Sequence, residues 1–323
     1  MPEPFRFPFA RTGVLLLVGA SVLSACRAPT LLASGAPSAA TTQKKVRFIA
    51  VGDTGRGNAE QHQVASAMTT KCATSGCDFV VMLGDNFYPT GVTSPDDPQF
   101  QEKFEQAYAG MDVPFYPVLG NHDYGGNGAG DEFGKGAHEV AYTARSTRWK
   151  MPAPYHHFRV GNVEFFATDT NLQLHGQDET QRRDVSRWLS ESTATWKISL
   201  GHHPYLSNGY HGNAGSYDGK AGVQPWDGTG VKAFFEEILC GRVDLSLVGH
   251  DHNRQWLEPT CRGTELVVSG AGAGGSPLKQ TNPSRFQAST VGFLWVEVDG
   301  RKLVGEFIGP DGTVEFTRTL VRP

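Results

Sequence analysis

Five segments of the chain end an apolar run with glycine and then place a side chain that can bind a metal ion. These side chains are two aspartates, one asparagine and three histidines: Asp53, Asp85, Asn121, His202, and the pair His250 and His252. Where strands alternate with crossover helices, ligands collect just beyond the carboxyl ends of the strands. Glycine at such a position lets the backbone turn sharply and approach an ion closely. We therefore expect these side chains to meet at one site.

The mixture of donor atoms indicates which metals such a site would take. Carboxylate, amide and imidazole donors suit iron, zinc or manganese, and they contain too much nitrogen for a calcium site. Tyr88 and His122 follow closely behind two of the segments. Six or seven ligands exceed what one tetrahedral ion needs, whereas two ions that share one carboxylate would use them all. A Gly-Asp pair alone is more often a turn than a ligand, so the prediction depends on all five segments together.

The elements that must position these residues alternate along the chain. Apolar runs predict strands over residues 46–51, 79–83, 115–119, 196–200 and 243–248, each ending at one of the five segments. Helical patterns cover 59–71, 98–109, 178–192 and 231–239, and a hairpin is predicted over 155–168. The last 60 residues alternate apolar and polar positions, as short antiparallel strands do. This order predicts an α/β protein with a parallel or mixed sheet. Residues 125–136 are predicted to form a glycine-rich loop, and residues 125–150 contain no motif that could be interpreted.

The five segments carry the letters GDTG, GDNFY, GNHD, GHHP and GHDHN, beginning at residues 52, 84, 120, 201 and 249. Together they resemble the five blocks of the calcineurin-like metallophosphoesterases. The tyrosine three residues after the second aspartate resembles that of the purple acid phosphatases, and the small, tartrate-resistant type is the most similar. The resemblance covers residues 46 to about 275. It implies an α/β (α+β) fold, a four-layer sandwich of two mixed β-sheets flanked by helices.

The resemblance also implies roles for individual residues. The Fe(III) ligands would be Asp53, Asp85, Tyr88 and His252. The ligands of a divalent ion (Fe, Zn or Mn) would be Asp85, Asn121, His202 and His250, so Asp85 would bridge the two ions. His122 resembles the family's phosphate-contacting histidine, and His211 resembles a second substrate histidine and candidate general acid. His203 stands where many relatives have other residues, and no role is assigned to it.

This site predicts a binuclear phosphatase that hydrolyses phosphomonoesters. Two ions can clamp a phosphate and lower the pKa of a bound water, so that a metal-bound hydroxide attacks phosphorus in line. His122 or His211 would then protonate the leaving alkoxide. Two alternatives stay open. The same site could serve phosphodiesters or nucleotides, or the chain could be a surface lipoprotein that binds metal or a partner without turnover.

Other motifs in the sequence give only weak support for other functions. Residues 270–275 contain GxGxxG after a predicted strand, but a dinucleotide site needs a helix next. Ser276 and Pro277 follow instead, so we expect a loop near the metals. His156 and His157 precede a hairpin and are predicted to be structural. The chain has no Gly-x-Ser-x-Gly, so a serine hydrolase is not indicated.

The N-terminus is typical of an exported protein. An apolar run over residues 14–23 follows Arg6 and Arg11 and is short for a hydrocarbon core of ~30 Å. Cys26 directly after Leu-Ser-Ala resembles the lipobox of bacterial lipoproteins, which implies cleavage before Cys26 and a lipid on its sulfur. An ordinary secretory signal is the alternative. We expect residues 1–25 to be the signal peptide, 26–45 a flexible tether, and 46–323 the catalytic domain of a periplasmic or cell-surface protein.

The remaining cysteines and the charge balance limit the environment and the partners. Cys72, Cys77, Cys240 and Cys261 allow three pairings. Cys72–Cys77 and Cys240–Cys261 are favoured because each joins neighbours in sequence, and free thiols are the alternative. The chain has 29 Lys and Arg against 33 Asp and Glu, a net charge of −4, and no basic block. Nucleic-acid binding is therefore not expected. We expect the chain to be a monomer, and its partner to be a small phosphorylated substrate.

Overall fold

In a computed structural model of the chain, residues 45–176 and 178–322 are described. The predicted signal peptide, the predicted lipidated residue Cys26 and nearly all of the predicted tether lie outside these residues. Among the helices of the described part, none is long and apolar enough to cross a membrane.

The first sheet has six strands in the order β13-β12-β11-β1-β2-β3. Their bounds are β1 Val46–Val51, β2 Phe79–Leu83, β3 Phe115–Val118, β11 Phe293–Asp299, β12 Lys302–Ile308 and β13 Val314–Val321. Strands β1, β2 and β3 are parallel. Strand β11 pairs antiparallel with β1, and β12 and β13 continue antiparallel beyond it. The predicted antiparallel C-terminus is confirmed, and the sheet is mixed.

The second sheet has seven strands in the order β10-β8-β9-β7-β6-β5-β4. Their bounds are β4 His156–Val160, β5 Val163–Ala167, β6 Trp196–Leu200, β7 Leu245–Val248, β8 Arg254–Leu257, β9 Glu265–Ser269 and β10 Ser284–Ala288. Strands β5, β6, β7 and β9 are parallel. Strands β4 and β5 form the predicted hairpin.

The two sheets pack face to face, and helices cover their outer faces. Phe48 on β1 stacks on Phe79 of β2 at 5.4 Å between ring centroids, and Phe165 of β5 contacts both edge-on at 5.1 and 5.3 Å. Burying one such ring stabilises the fold by roughly 1.5–3 kcal/mol. The helices are α1 Ala59–Ser75, α2 Gly136–Tyr142, α3 Thr170–Leu174, α4 Glu179–Glu191 and α5 Thr229–Phe234.

Separate apolar clusters join each sheet to its helices. Val64 and Met68 of α1 pack with the outer face of the first sheet, and Val185 and Leu189 of α4 pack with that of the second. The order helix, sheet, sheet, helix confirms the α/β sandwich that the resemblance implies.

The helix predicted over residues 98–109 is wrong in its extent. Residues 99 and 100 are α-helical, Gln101–Glu105 form a π-helical segment, and turns follow over residues 106–110. The Arg148 guanidinium donates to the carbonyl oxygens of Tyr108, Met111 and Glu105 at 2.5, 3.0 and 2.9 Å. These carbonyls are therefore satisfied without further helical turns. Helices α2 and α3 were not predicted.

Both favoured disulfides form. Cys72, in the last turn of α1, is joined to Cys77 just after the end of that helix, and Cys240 is joined to Cys261. Paired cysteines of this kind are typical of proteins from oxidising compartments.

Candidate metal centre

The predicted site residues follow the carboxyl ends of five parallel strands. Asp53, Asp85 and Asn121 come after β1, β2 and β3 of the first sheet, and His202 and His250 come after β6 and β7 of the second. The two sheets meet at these ends, since the backbone N–H of His250 donates to Asp53 Oδ2 at 2.9 Å. The structure thus brings the five strand ends together.

Two glycines show why the segments begin with that residue. A Cβ on Gly84 would lie 2.6 Å from Nδ1 of His202, and Gly84 has a φ of +84°. A Cβ on Gly120 would lie 2.2 Å from Oδ1 of Asp85. Any larger residue would therefore displace a side chain of the site.

Three of the site residues have a strained backbone. Asp53, Asp85 and His250 have φ values of +58°, +52° and +68°, in the left-handed region that non-glycine residues seldom adopt. Such strain costs of order 1–3 kcal/mol per residue and is concentrated at functional sites, where the surrounding structure holds it. At this site the strained backbone turns the side chains of Asp53, Asp85 and His250 toward one another.

A first cluster surrounds the hydroxyl of Tyr88. This oxygen lies 3.0 Å from Asp53 Oδ1, 2.9 Å from Asp85 Oδ2 and 3.0 Å from His252 Nε2. Arg56 donates to Nδ1 of His252, so Nε2 carries the ring proton and faces Asp53 Oδ1 at 3.4 Å. The protons of Tyr88 and His252 thus lie beside two carboxylates, where a cation would neutralise the same charges. Burial, and then the two carboxylates, raise the pKa of Tyr88 well above its ordinary value. The phenol is neutral in the metal-free protein, and a strongly charged cation would be needed to ionise it.

A second cluster surrounds Nε2 of His202. This nitrogen lies 3.0 Å from Asn121 Oδ1, 3.1 Å from His250 Nδ1 and 3.4 Å from Asp85 Oδ1. The Asn121 amide N–H₂ donates to the Gly128 carbonyl at 2.9 Å, so the amide oxygen must face the cluster. His202 Nδ1 donates to the Leu83 carbonyl at 2.8 Å, which leaves Nε2 for a cation.

The charges within the second cluster fit a cation site. Burial lowers the pKa of His202, but Asp85 outweighs this effect and raises it to about 9. A proton on Nε2 therefore occupies the place of a cation between the acceptors. Burial and the surrounding histidines hold the pKa of His250 well below its ordinary value, so His250 is neutral, as a metal ligand must be. The donor sets of both clusters, and the protons that lie between their acceptors, fit two metal ions.

Asp85 contacts both clusters. Its Oδ2 accepts from Tyr88, while its Oδ1 faces His202 and accepts the backbone N–H of His122 at 2.9 Å. Its two oxygens are thus divided between the clusters.

His122 and His211 lie beside the clusters, and neither belongs to the groups of metal-capable side chains found in the described residues. His122 Nδ1 donates to the Pro89 carbonyl at 2.6 Å, so Nε2 is left for another partner. A Cβ on Gly128 would lie 2.8 Å from this Nε2. The ring of His211 stacks on that of His250, with centroids 4.0 Å apart.

A cleft of about 440 Å³ opens beside the second cluster. It is lined by Asn121, His250 and His211, and farther out by Leu174 and Trp226. Trp226 is 38% exposed. The cleft has room for a ligand that contacts the site residues at one end and an indole at the other.

Two residues of the site were missed by sequence reasoning. Asp218 Oδ1 lies 2.8 Å from His211 Nδ1, and its position seven residues after His211 was the available signal. The Arg56 guanidinium donates to His252 Nδ1 at 3.2 Å and lies over the Tyr88 ring. It follows the GDTG segment directly, but no spacing rule marks it.

The weaker motifs behave as expected. The glycine-rich segment after β9 forms a loop at the metal centre, where a Cβ on Gly270 would lie 2.6 Å from Asp53 Oδ2, and no helix follows it. His156 is buried, and its Nδ1 donates to the Ala153 carbonyl. His157 pairs with Glu164 at 2.8 Å and stacks on Trp188. Both histidines are structural.

Comparisons with known proteins agree with this geometry. Residues 46–254 match the family described as calcineurin-like phosphoesterase. The human tartrate-resistant acid phosphatase type 5 is 31% identical over 342 residues, covering 93% of this chain and 96% of that protein.

Two solved structures have the same fold. Purple acid phosphatase PPD1 from yellow lupin seeds superposes with a TM-score of 0.65 at 18% identity, over 87% of this chain and 54% of that one. GAP50, described as the anchor in the inner membrane complex of Plasmodium, superposes with a TM-score of 0.68 at 23% identity, over 86% and 89%. By its match to the family and its identity with the human relative, the chain is an enzyme of the hydrolase class and belongs to the calcineurin-like phosphoesterase family, with relatives named as purple acid phosphatases.

Proposed function

We propose that the protein is an exported phosphomonoesterase of the acid phosphatase type with an Fe(III)–divalent metal centre. One observation carries the proposal: the two oxygens of Asp85 are divided between a cluster with a buried tyrosine and a cluster with two histidines. A carboxylate in this position can be shared by two ions.

The clusters specify which residues would hold each ion. The tyrosine-containing set suits Fe(III): Asp53, Asp85, Tyr88 and His252. The other set suits divalent Fe, Zn or Mn: Asp85, Asn121, His202 and His250. When bound, two such ions would supply Lewis acidity and an activated solvent nucleophile for attack on phosphorus.

The protein's own groups would orient the ester and move the proton to its leaving group. His122 donates from Nδ1 to the Pro89 carbonyl, so as an imidazolium it can offer Nε2–H to a phosphoryl oxygen. His211 donates from Nδ1 to the anionic Asp218, which stabilises the imidazolium form. In that form Nε2 carries the second proton and can give it to the leaving oxygen. The hydrogen bond from His211 lowers the pKa of Asp218 to about 2, although burial opposes the shift. Asp218 therefore stays an anion at mildly acidic pH.

The alternative of metal binding without turnover has less support. A storage or anchoring site has no use for imidazoles that lie beside the ligand sets without joining either of them. Both His122 and His211 are held in that manner by a hydrogen bond to Nδ1.

Turnover of p-nitrophenyl phosphate and bis-p-nitrophenyl phosphate, measured side by side with metal analysis, tests the function. We expect two metal ions per chain and faster hydrolysis of the monoester. Faster hydrolysis of the diester would make the protein a phosphodiesterase, and full metal content without turnover of either compound would favour the binding protein.

We further propose that a lipid on Cys26 anchors a monomeric enzyme to a membrane facing the periplasm or the cell exterior. The two disulfides support an oxidising location. Wild-type protein is expected in the membrane fraction, and Cys26→Ala is expected to fail to mature. Recovery of soluble wild-type protein that begins at another residue would contradict the anchor.

A further inference from the structure

His203 is a buried histidine that neither metal cluster nor the proton-transfer pair uses. It follows His202 directly, is 1% exposed, and lines the same cleft as Asn121, His211 and His250. Its ring centroid lies 4.5 Å from that of His250. His203 therefore lies next to the position that a small molecule bound to the divalent ion would occupy.

The hydrogen bonds of Thr170 determine which nitrogen of His203 carries the proton. Thr170 Oγ1 accepts the backbone N–H groups of His202 at 3.1 Å and of His203 at 2.9 Å. These two bonds use both lone pairs of the hydroxyl oxygen, so its own hydrogen must be donated. Its remaining contact is His203 Nδ1 at 2.9 Å. Nδ1 is therefore an acceptor, and the ring proton of His203 is on Nε2.

The Nε2–H of His203 has no hydrogen-bond partner among residues 45–176 and 178–322, although it is buried. An unpaired buried donor is costly, and a protein keeps one mainly where another molecule completes it. A protonated Nε2 cannot bind a metal ion, so this histidine is not an additional ligand even though a ring nitrogen lies within 4.8 Å of those of His202 and His250. It offers a neutral N–H to an anion.

We propose that the Nε2–H of His203 donates a hydrogen bond to a phosphoryl oxygen of the substrate. This inference rests on the proposed phosphatase function and adds a substrate-binding residue to it. The donor stands on the His202 and His250 side of the cleft, whereas His122 contacts Asp85 through its backbone. The phosphoryl group is thus held by imidazoles from both sheets.

Two pairs of variants test the proposal on the metal-loaded enzyme. His203→Phe keeps a ring without a donor, and His203→Gln keeps an N–H₂ near the position of Nε2. Thr170→Val removes the hydroxyl hydrogen that selects the tautomer, and Thr170→Ser keeps it. Each variant is assayed for metal content, for the dissociation constant of inorganic phosphate, and for kcat and KM.

Loss of a hydrogen bond to a charged oxygen is expected to weaken phosphate binding about 10- to 100-fold in His203→Phe, with metal content unchanged. His203→Gln is expected to restore most of the affinity. Thr170→Val is expected to lose about 3- to 10-fold, and Thr170→Ser to resemble wild type. If His203→Phe does not fold, the comparison of Thr170→Val with Thr170→Ser tests the proposal in its place.

Three results would overturn the proposal. Loss of metal in His203→Phe would make the residue a ligand. Wild-type phosphate affinity in fully loaded His203→Phe or Thr170→Val would make the ring a packing element only. Wild-type enzyme that holds two metals but neither binds phosphate nor hydrolyses an ester would refute the proposed function itself, and the variants would then not be needed.

Discussion

The hydrogen bond between Asp218 and His211 allows the proton-transfer role of His211 to be tested without disturbing the metals. Asp218 Oδ1 is 2.8 Å from His211 Nδ1, and Oδ2 is 3.1 Å from Lys220 Nζ. Asp218→Asn removes the charge and keeps the shape. Asp218 has a φ of +54°, a conformation that asparagine adopts as readily as aspartate. The backbone should therefore be unchanged.

The expected loss follows from the type of bond. A hydrogen bond to a charged group contributes about 1.5–3 kcal/mol, and a neutral one about 0.5–1.5 kcal/mol. The side chains of His211 and Asp218 are 31% and 25% exposed, so solvent weakens the pair and we take a difference of about 1 kcal/mol. Proton transfer in Asp218→Asn should therefore be roughly five- to tenfold slower than in wild type.

The assay compares an alkyl phosphate, whose leaving group needs a proton, with p-nitrophenyl phosphate, whose phenolate leaves without one. Asp218→Asn is expected to lower kcat for the alkyl ester by about five- to tenfold and for the aryl ester by less than about twofold. Metal content should not change. Asp311→Asn, in the turn between β12 and β13, is the matched control. Equal losses for both esters, or no loss for the alkyl ester, would refute the assignment of His211 as the proton donor.

Three further results are expected. Protein supplied with iron should be coloured by tyrosinate bound to Fe(III), and Tyr88→Phe should lose the visible band; a colourless, fully active enzyme would contradict the iron assignment. His122→Ala should keep both metals but lose about 10²- to 10⁴-fold in turnover; loss of metals would show that His122 is a ligand. Burial raises the pKa of Asp178 to about 7, so its contribution to stability is present below the unfolded pKa of about 3.8 and is lost as the pH rises through about 7. From pH 5 to pH 8, the Tm of wild type should therefore fall further than that of Asp178→Asn, by roughly 5–10 °C, and equal falls would contradict the burial argument.

Five of the proposed ligands could be located from sequence because each stands two or three residues after the strand that carries it, and Tyr88 and His252 lie farther along the same segments. A strand, a glycine and an aspartate are neighbours in the chain, so the local pattern contains both the ligand and its position. The same holds for Cys72 and Cys77, which one helix end brings together.

The remaining features depend on contacts between distant residues. The tautomer of His203 is determined by Thr170, 33 positions earlier in the chain, and no spacing rule connects the two. The π-helical segment Gln101–Glu105 lies beside carbonyls that Arg148 satisfies. Strand β1 pairs with β11 nearly 250 residues away. Hydrophobic periodicity shows that a segment is buried, but it does not show which partner buries it.

The division of Asp85 between two clusters is the central claim, and metal stoichiometry tests it most directly. Metal content and turnover are measured on the same preparations of wild type and Asp85→Ala. We predict two ions per chain in wild type, and loss of both metal and turnover in Asp85→Ala. An active wild-type enzyme with a single ion, or Asp85→Ala that retains two ions, would contradict a centre in which this carboxylate is shared.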